Sequence, residues 1–138
     1  MKYLGLDLGS RTLGIATSDA TGLIASSYGV IRHHEEYPRL IQEVSRLVDE
    51  LHIDAVVLGF PKNMNNSIGP KGELSLKFKK ELEKVLDIPV YLQDERLSTK
   101  SATDMLISAD VSRKSRKKVV DSVAATIILQ TFLDKERR

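Results

Sequence analysis

The sequence predicts an α/β protein in which a mixed five-stranded sheet is flanked by helices, and three observations carry that expectation. The opening residues alternate apolar and polar with a period of two, as strands do. Leu40, Ile41, Val44, Leu47, Val48 and Leu51 then form a stripe at helical spacing. Ala55-Val56-Val57-Leu58 is a continuous apolar run of the kind expected from a parallel strand covered on both faces. The 138 residues, 41% apolar and 29% charged, match one globular domain spanning 1–138 that can bury its own core.

The elements follow in order. Leu4, Leu6 and Leu8 occupy one side of a first strand at 3–8, with Tyr3, Gly5 and Asp7 on the other. Gly9-Ser10-Arg11-Thr12 turns the chain, and Leu13–Thr17 returns as a second strand. A second turn, Ser18–Gly22, leads to a third strand over Ser26–Ile31, so the opening is an antiparallel meander. A helix is expected at 36–51, a strand at 55–59 and a long loop from Phe60 to Gly72, where Pro61, Asn63, Asn65, Asn66, Gly69 and Pro70 fall. Leu74, Phe78, Leu82, Val85 and Leu86 mark a second helix, and Ile88–Leu92 a short strand. Ser98 and Thr99 suit the cap of a short helix reaching Ile107. A basic loop comes next, and a last helix spans Val119–Leu133.

Composition excludes several classes. With no cysteine there is no disulfide framework, no cysteine-ligated zinc and no thiol nucleophile. No apolar run is long enough to span a membrane, and the first residues lack a signal peptide's apolar core, so a cytoplasmic protein is expected. The net charge of +2 hides an asymmetry: residues 1–95 sum to −3 and residues 96–138 to +5. Arg113, Lys114, Arg116, Lys117 and Lys118 crowd into one run, which suits either phosphate contact or a solvated loop.

Three carboxylates occupy positions where a carboxylate is awkward. Asp7 lies inside a strand between Gly5 and Gly9, Glu95 follows the last strand, and Asp121 opens the last helix just before Ala124 and Ala125. Those alanines allow that helix to pack closely on the sheet and carry Asp121 toward Asp7. Gathered carboxylates repel unless a cation sits among them. An all-oxygen donor set suits Mg²⁺ or Mn²⁺, one ion or two, and such ions activate water against phosphodiesters. Each residue also admits a plainer reading. Asp7 would serve as a turn residue, Asp121 as an acid favoured by the helix dipole, and Glu95 as half of a surface ion pair with Arg96.

Gly5-Leu6-Asp7-Leu8-Gly9-Ser10-Arg11-Thr12-Leu13-Gly14-Ile15-Ala16 resembles the opening motif of the YqgF family, small bacterial proteins similar to RuvC-type Holliday-junction resolvases. Leu58-Gly59-Phe60-Pro61, Asp94-Glu95-Arg96-Leu97-Ser98-Thr99 and Asp121-Ser122-Val123-Ala124-Ala125 resemble its later blocks, in the same order. The resemblance covers essentially the whole chain. It implies a ribonuclease H-like fold, Asp7, Glu95 and Asp121 as metal-binding catalytic carboxylates, and maturation of the 5′ end of pre-16S ribosomal RNA. An older alternative is junction resolution. RuvC-type enzymes carry two acids three positions apart near the start of the last helix; at that spacing after Asp121 this chain has Ala124, so junction cleavage transfers less safely.

Supporting residues fit the same picture. Arg11 offers a bidentate fork to a phosphate or a carboxylate, and Arg96 suits the substrate backbone or Glu95. The run from Arg113 to Lys118 would hold the backbone of a structured RNA or a branched DNA. Thr99 reads as a helix cap, Lys62 and Lys71 as exposed lysines, and His33 and His34 as surface residues in a polar connection. Two other classes compete with the nuclease. Asp7-x-Gly9 also resembles the phosphate loop of actin-like and sugar-kinase ATPases, which need two such domains. A non-catalytic RNA-binding assembly module would tolerate the missing fourth acid. RNA trimming would work in a monomer, whereas a resolvase needs a homodimer.

Overall fold

The computed structural model describes residues 1–61, 68–94 and 113–136, with the side chains of 113–122 outside that description. Its strands are β1 (Tyr3–Leu8), β2 (Thr12–Ser18), β3 (Ala25–Arg32), β4 (Ala55–Phe60) and β5 (Val90–Asp94). Among the described residues the helices are α1 (Tyr37–Glu50), α2 (Pro70–Val85) and α3 (Arg113–Glu136). The strands form one sheet in the order β3-β2-β1-β4-β5. β1 pairs antiparallel with β2 and β2 with β3, while β4 lies parallel to both β1 and β5. The expected mixed five-stranded sheet is therefore present, with the meander on one side and the parallel strands on the other.

Period-two alternation divides the sheet into two unlike faces. Leu4, Leu6, Leu13, Ile15, Val56, Leu58 and Val90 face one way and close a core with Leu40, Val44, Leu47 and Val48 of α1 and Phe78 and Leu82 of α2. Burying each such side chain contributes roughly 1.5–3 kcal/mol against leaving it in water. On the other face Ala16 and Val57 meet Ala125, Ile128, Leu129, Phe132 and Leu133 of α3. A Cβ on Gly5 would stand 2.8 Å from Leu129 Cβ and 3.2 Å from the Ala125 carbonyl oxygen. The glycine is thus what allows α3 to lie directly on β1.

Three element boundaries differ from the sequence expectation. α2 begins at Pro70, inside the expected loop, because proline suits the first helical turn, where its missing N–H is no loss. Gly72 is helical and marks close approach: a Cβ there would meet Ile68 Cγ2 at 2.8 Å and the Pro61 carbonyl at 3.0 Å. β5 runs from 90 to 94 rather than 88 to 92, since Pro89 donates nothing to the ladder and only its carbonyl accepts, from Val56 N–H at 2.9 Å. The basic run from Arg113 to Lys118 is not a loop but the first described part of α3. Lys and Arg are good helix formers, and neither Gly nor Pro interrupts the chain between them and Leu133. The helix expected to end at Ile107 lies outside the described residues.

Candidate functional site

Asp7 stands two residues after Gly5 on β1 and so faces α3, half-buried. Its neighbour across β2 is Gly14, and Gly14 in turn pairs with Val30 of β3. On the other side the ladder of β1 with β4 reaches Leu6 and Leu58, one step short of Gly59. The carboxylate therefore sits in a row with Gly14 on one side and Gly59 just beyond the ladder on the other. Because β1, β4 and β5 are parallel, Asp7, Gly59 and Asp94 all lie toward one edge, where these strands end. In open α/β sheets that edge is the usual place for a ligand.

Helix α3 runs back along β1. The Tyr3 ring lies 5.8 Å from the Phe132 ring, and Gly5 lies under Leu129 and Ala125. Two residues forward on the strand thus correspond to roughly one to two turns backward on the helix. Gln93 faces the same helix: its Oε1 accepts from Lys135 Nζ at 3.4 Å, and neighbouring Tyr91 stacks on Phe132 at 5.3 Å. Ala124 and Ala125 are both fully packed, as expected from their role in close approach. Ala124, where the resemblance looks for a fourth acid, is a packing residue.

The turn between β1 and β2 is held from an unexpected direction. Gly9 N–H donates to the Thr12 carbonyl at 2.8 Å, and His33 N–H donates to the Arg11 carbonyl at 2.9 Å. The His33 ring is 1% exposed, which corrects its reading as a surface residue. Its Nδ1 accepts from Glu35 N–H at 3.0 Å, so Nε2 carries the proton and donates to the Gly9 carbonyl at 2.9 Å. Glu35 has φ 67°, a left-handed conformation that costs a non-glycine residue about 1–2 kcal/mol, and the His33 bond helps to hold it there. The only sequence signal for this was a histidine placed one residue after a strand. Nothing there distinguishes buried from exposed.

Arg11 is exposed at the tip of that turn, and its Nη1 lies 3.1 Å from His34 Nδ1. Beside it Glu36 is tied to Arg39 at 3.0 Å. Hydrogen bonds from its own and His34's backbone N–H, together with Arg39, hold the Glu36 carboxyl below its usual range. Of the residues singled out from the sequence, Asp7 and Arg11 thus both lie toward one edge of the sheet. Asp121 lies on the described backbone of α3, one turn before Ala125, and Arg113, Lys114, Arg116, Lys117 and Lys118 lie on its preceding turns. The side chains of these six are outside the described residues, as are Glu95 and Arg96 entirely. Among the described residues no group of three or more His, Asp or Glu side chains gathers as a metal site would require. Nor, among them, is any helix long and apolar enough to cross a membrane.

Known proteins share this architecture. RuvC of Thermus thermophilus, solved in complex with a Holliday junction substrate, superposes with a TM-score of 0.62 at 15% identity, covering 99% of this chain and 96% of that one. The fold is therefore RuvC-like, that is, ribonuclease H-like. Sequence relatives are much nearer. A protein of Geobacillus sp. (strain WCH70) is 49% identical over 138 residues, 99% of this chain and all of the relative. One of Bacillus subtilis (strain 168) is 51% identical over 135 residues, 97% of this chain and 98% of the relative. Both are named "Putative pre-16S rRNA nuclease". The family model described as "RuvX: Holliday junction resolvase" matches residues 1–135, and the chain belongs to that family.

Proposed function

We propose that residues 1–138 form one nuclease unit that hydrolyses phosphodiester bonds in the 5′ region of pre-16S ribosomal RNA, using Asp7, Glu95 and Asp121 to hold Mg²⁺ or Mn²⁺. The observation that carries this reading is the register of α3 on β1. Phe132 lies at Tyr3, and Leu129 and Ala125 lie at Gly5. Two strand residues advance about 6.6 Å and four helix residues about 6 Å, so the same step taken once more argues for pairing Asp7 with the turn that holds Asp121. Glu95 directly follows β5, whose end lies at the same edge as Asp7. The names of the relatives supply the RNA.

The donor set fits a hard divalent cation: every member is a carboxylate, and the residue paired with Asp7 across β2 is Gly14, which carries no side chain. When bound, such an ion supplies an activated water and stabilises the leaving oxygen of an in-line displacement. The chain's own part is to position. Asp7 is fixed in a strand paired on both sides, and the turn after it is tied down by His33. Arg11 presents its guanidinium at the rim. The first described turns of α3, carrying Arg113, Lys114, Arg116, Lys117 and Lys118, extend about 12 Å before Asp121 and would hold the phosphate backbone beyond the sheet edge.

The test is cleavage of end-labelled RNA carrying a pre-16S 5′ leader, with Mn²⁺ or Mg²⁺, by wild type and Asp7→Asn. Wild type should give metal-dependent products, and the variant should lose at least about 100-fold in rate while folding normally. An Asp7→Asn protein that cuts at the wild-type rate overturns the assignment. The family description favours a second substrate, so a labelled four-way DNA junction belongs beside the RNA. Symmetric nicking of the junction alone would make the chain a resolvase that works as a pair of protomers.

A further inference from the structure

We propose that Arg32, at the end of β3, is a second phosphate-binding arm of this site, receiving the nucleic-acid backbone a few nucleotides from the bond held at Asp7. The destination rests on the reading of Asp7 given above, but the geometry does not. Gly14 pairs with both Asp7 and Val30, and Thr12 pairs with Arg32. Side chains alternate, so Asp7, Thr12, Val30 and Arg32 share one face of the sheet. Ile31, between the last two, packs into the opposite core, as that alternation requires. Ladder spacings put the Cα of Arg32 about 12 Å from that of Asp7, two strands across and two residues along.

Among the described residues, helix α3 is bonded to β3 at the other end, where Ala25 N–H donates to Gln130 Oε1 at 2.8 Å. Near Arg32, Val30 is 37% exposed and Arg32 itself is exposed. Between Asp7 and Val30 stands only Gly14, which has no side chain to interrupt an extended backbone lying across the sheet. An exposed row along one face of a sheet suits a polymer backbone better than a small anion.

Arg32 is also held at its base and free at its head. Its carbonyl accepts from Arg39 Nη2 at 2.8 Å, and the next residue, His33, is buried and bonded to both Arg11 and Gly9. The neighbouring Arg39 is committed to an ion pair with Glu36. Among the described residues the Arg32 guanidinium makes no hydrogen bond or ion pair. A fixed root with an uncommitted fork is a suitable geometry for gripping a phosphate, because little ordering remains to be done on binding.

The experiment measures equilibrium binding of the 5′-leader RNA in a chelator-containing buffer, across a salt series, with Asp7→Asn protein as the background so that no cleavage intervenes. Adding Arg32→Ala should weaken binding severalfold at low salt and reduce the log–log salt slope by about 0.7–0.9, the loss of one phosphate contact. Arg32→Lys should restore most of the slope. Arg46→Ala, which removes a cation paired to Glu43 and Glu50 on α1, should change neither quantity. Unchanged slope and affinity in Arg32→Ala overturn the proposal, as does an equal loss in Arg46→Ala, which would signal only a diffuse field. If Arg32 shifts the slope while the wild type with metal cleaves nothing, the arm stands and the nuclease reading fails by itself.

Discussion

The two faces of the sheet are built on different rules. Toward α1 and α2 the strands present Leu4, Leu6, Leu13, Ile15 and Leu58, all essentially without solvent contact. Toward α3, β1 and β2 present Gly5, Asp7, Gly14 and Ala16 around the site, and beside Val57 and Tyr3 most of the apolar bulk comes from the helix, through Ile128, Leu129, Phe132 and Leu133. The first face maximises buried area. The second gives up area so that a helix can approach the backbone and a carboxylate can sit in the middle of a strand. A face lined with small residues around one acid is what a site costs in packing, and the leucine face is where that loss is offset.

Residues 5 and 6 break this comparison most directly, since they are neighbours on opposite faces. Leu6→Ala should cost about 2–5 kcal/mol in chemical denaturation, the usual range for a buried leucine that leaves a cavity. Its cleavage rate per folded molecule should stay close to wild type, because Leu6 points into the core with α1 and α2, on the face of the sheet opposite Asp7. Gly5→Ala adds a methyl where Leu129 Cβ is 2.8 Å away, which should cost about 1–3 kcal/mol as overpacking. It should also lower cleavage well below the melting transition, because α3 must shift on β1 and Asp121 travels with it. Equal activity losses in both variants would mean that the faces are not functionally distinct.

The leucine face was almost entirely legible in the sequence. The alternation at 3–8, the stripe from Leu40 to Leu51 and the continuous run Ala55–Leu58 are local patterns, and each became the expected element. The α3 face was legible only in its oddities, an acid between glycines and a pair of alanines after Asp121. What remained hidden was non-local. Arg113 to Lys118 resembles a loop by its charge density, although Lys and Arg are good helix formers. Gly72 looked like a loop marker although its smallness serves contact with Ile68 and Pro61. His33 looked exposed because its partners, Gly9 and Arg11, lie more than twenty residues away, and no local pattern reports a bond of that range.

His33 sharpens the comparison at the rim between the faces. Removing the ring in His33→Ala leaves the Gly9 carbonyl and the Glu35 N–H without their partner. The expected loss is about 1–2 kcal/mol, at the lower end for unsatisfied groups because the turn lies near solvent. Amide exchange should speed up at residues 9–12 before it does at Leu4 or Leu6. If exchange instead rises uniformly, the ring is packing material and the turn is held by the backbone bonds alone.

The smallest effect is expected at the opposite end of the meander, in the turn between β2 and β3. There the Thr21 hydroxyl and the backbone N–H groups of Ile24 and Leu23 hold the Asp19 carboxyl down, from 3.8 to about 2. A carboxyl with a lowered folded-state pKa contributes stability that is fully present above its unfolded value and is lost as pH falls through its folded value. The difference in Tm between wild type and Asp19→Asn should therefore persist from neutral pH down to about pH 4 and close as pH approaches 2. Because the group is fully exposed, solvent screens it and the gap should be small. Cleavage should not respond, since this turn lies at the end of β2 away from Asp7. Parallel melting curves at every pH would show that the hydrogen bonds to Asp19 form equally well with a neutral side chain. An activity change would show that the two ends of the meander are coupled through β2, and the separation between scaffold and site drawn from the two faces would then need an exception along that strand.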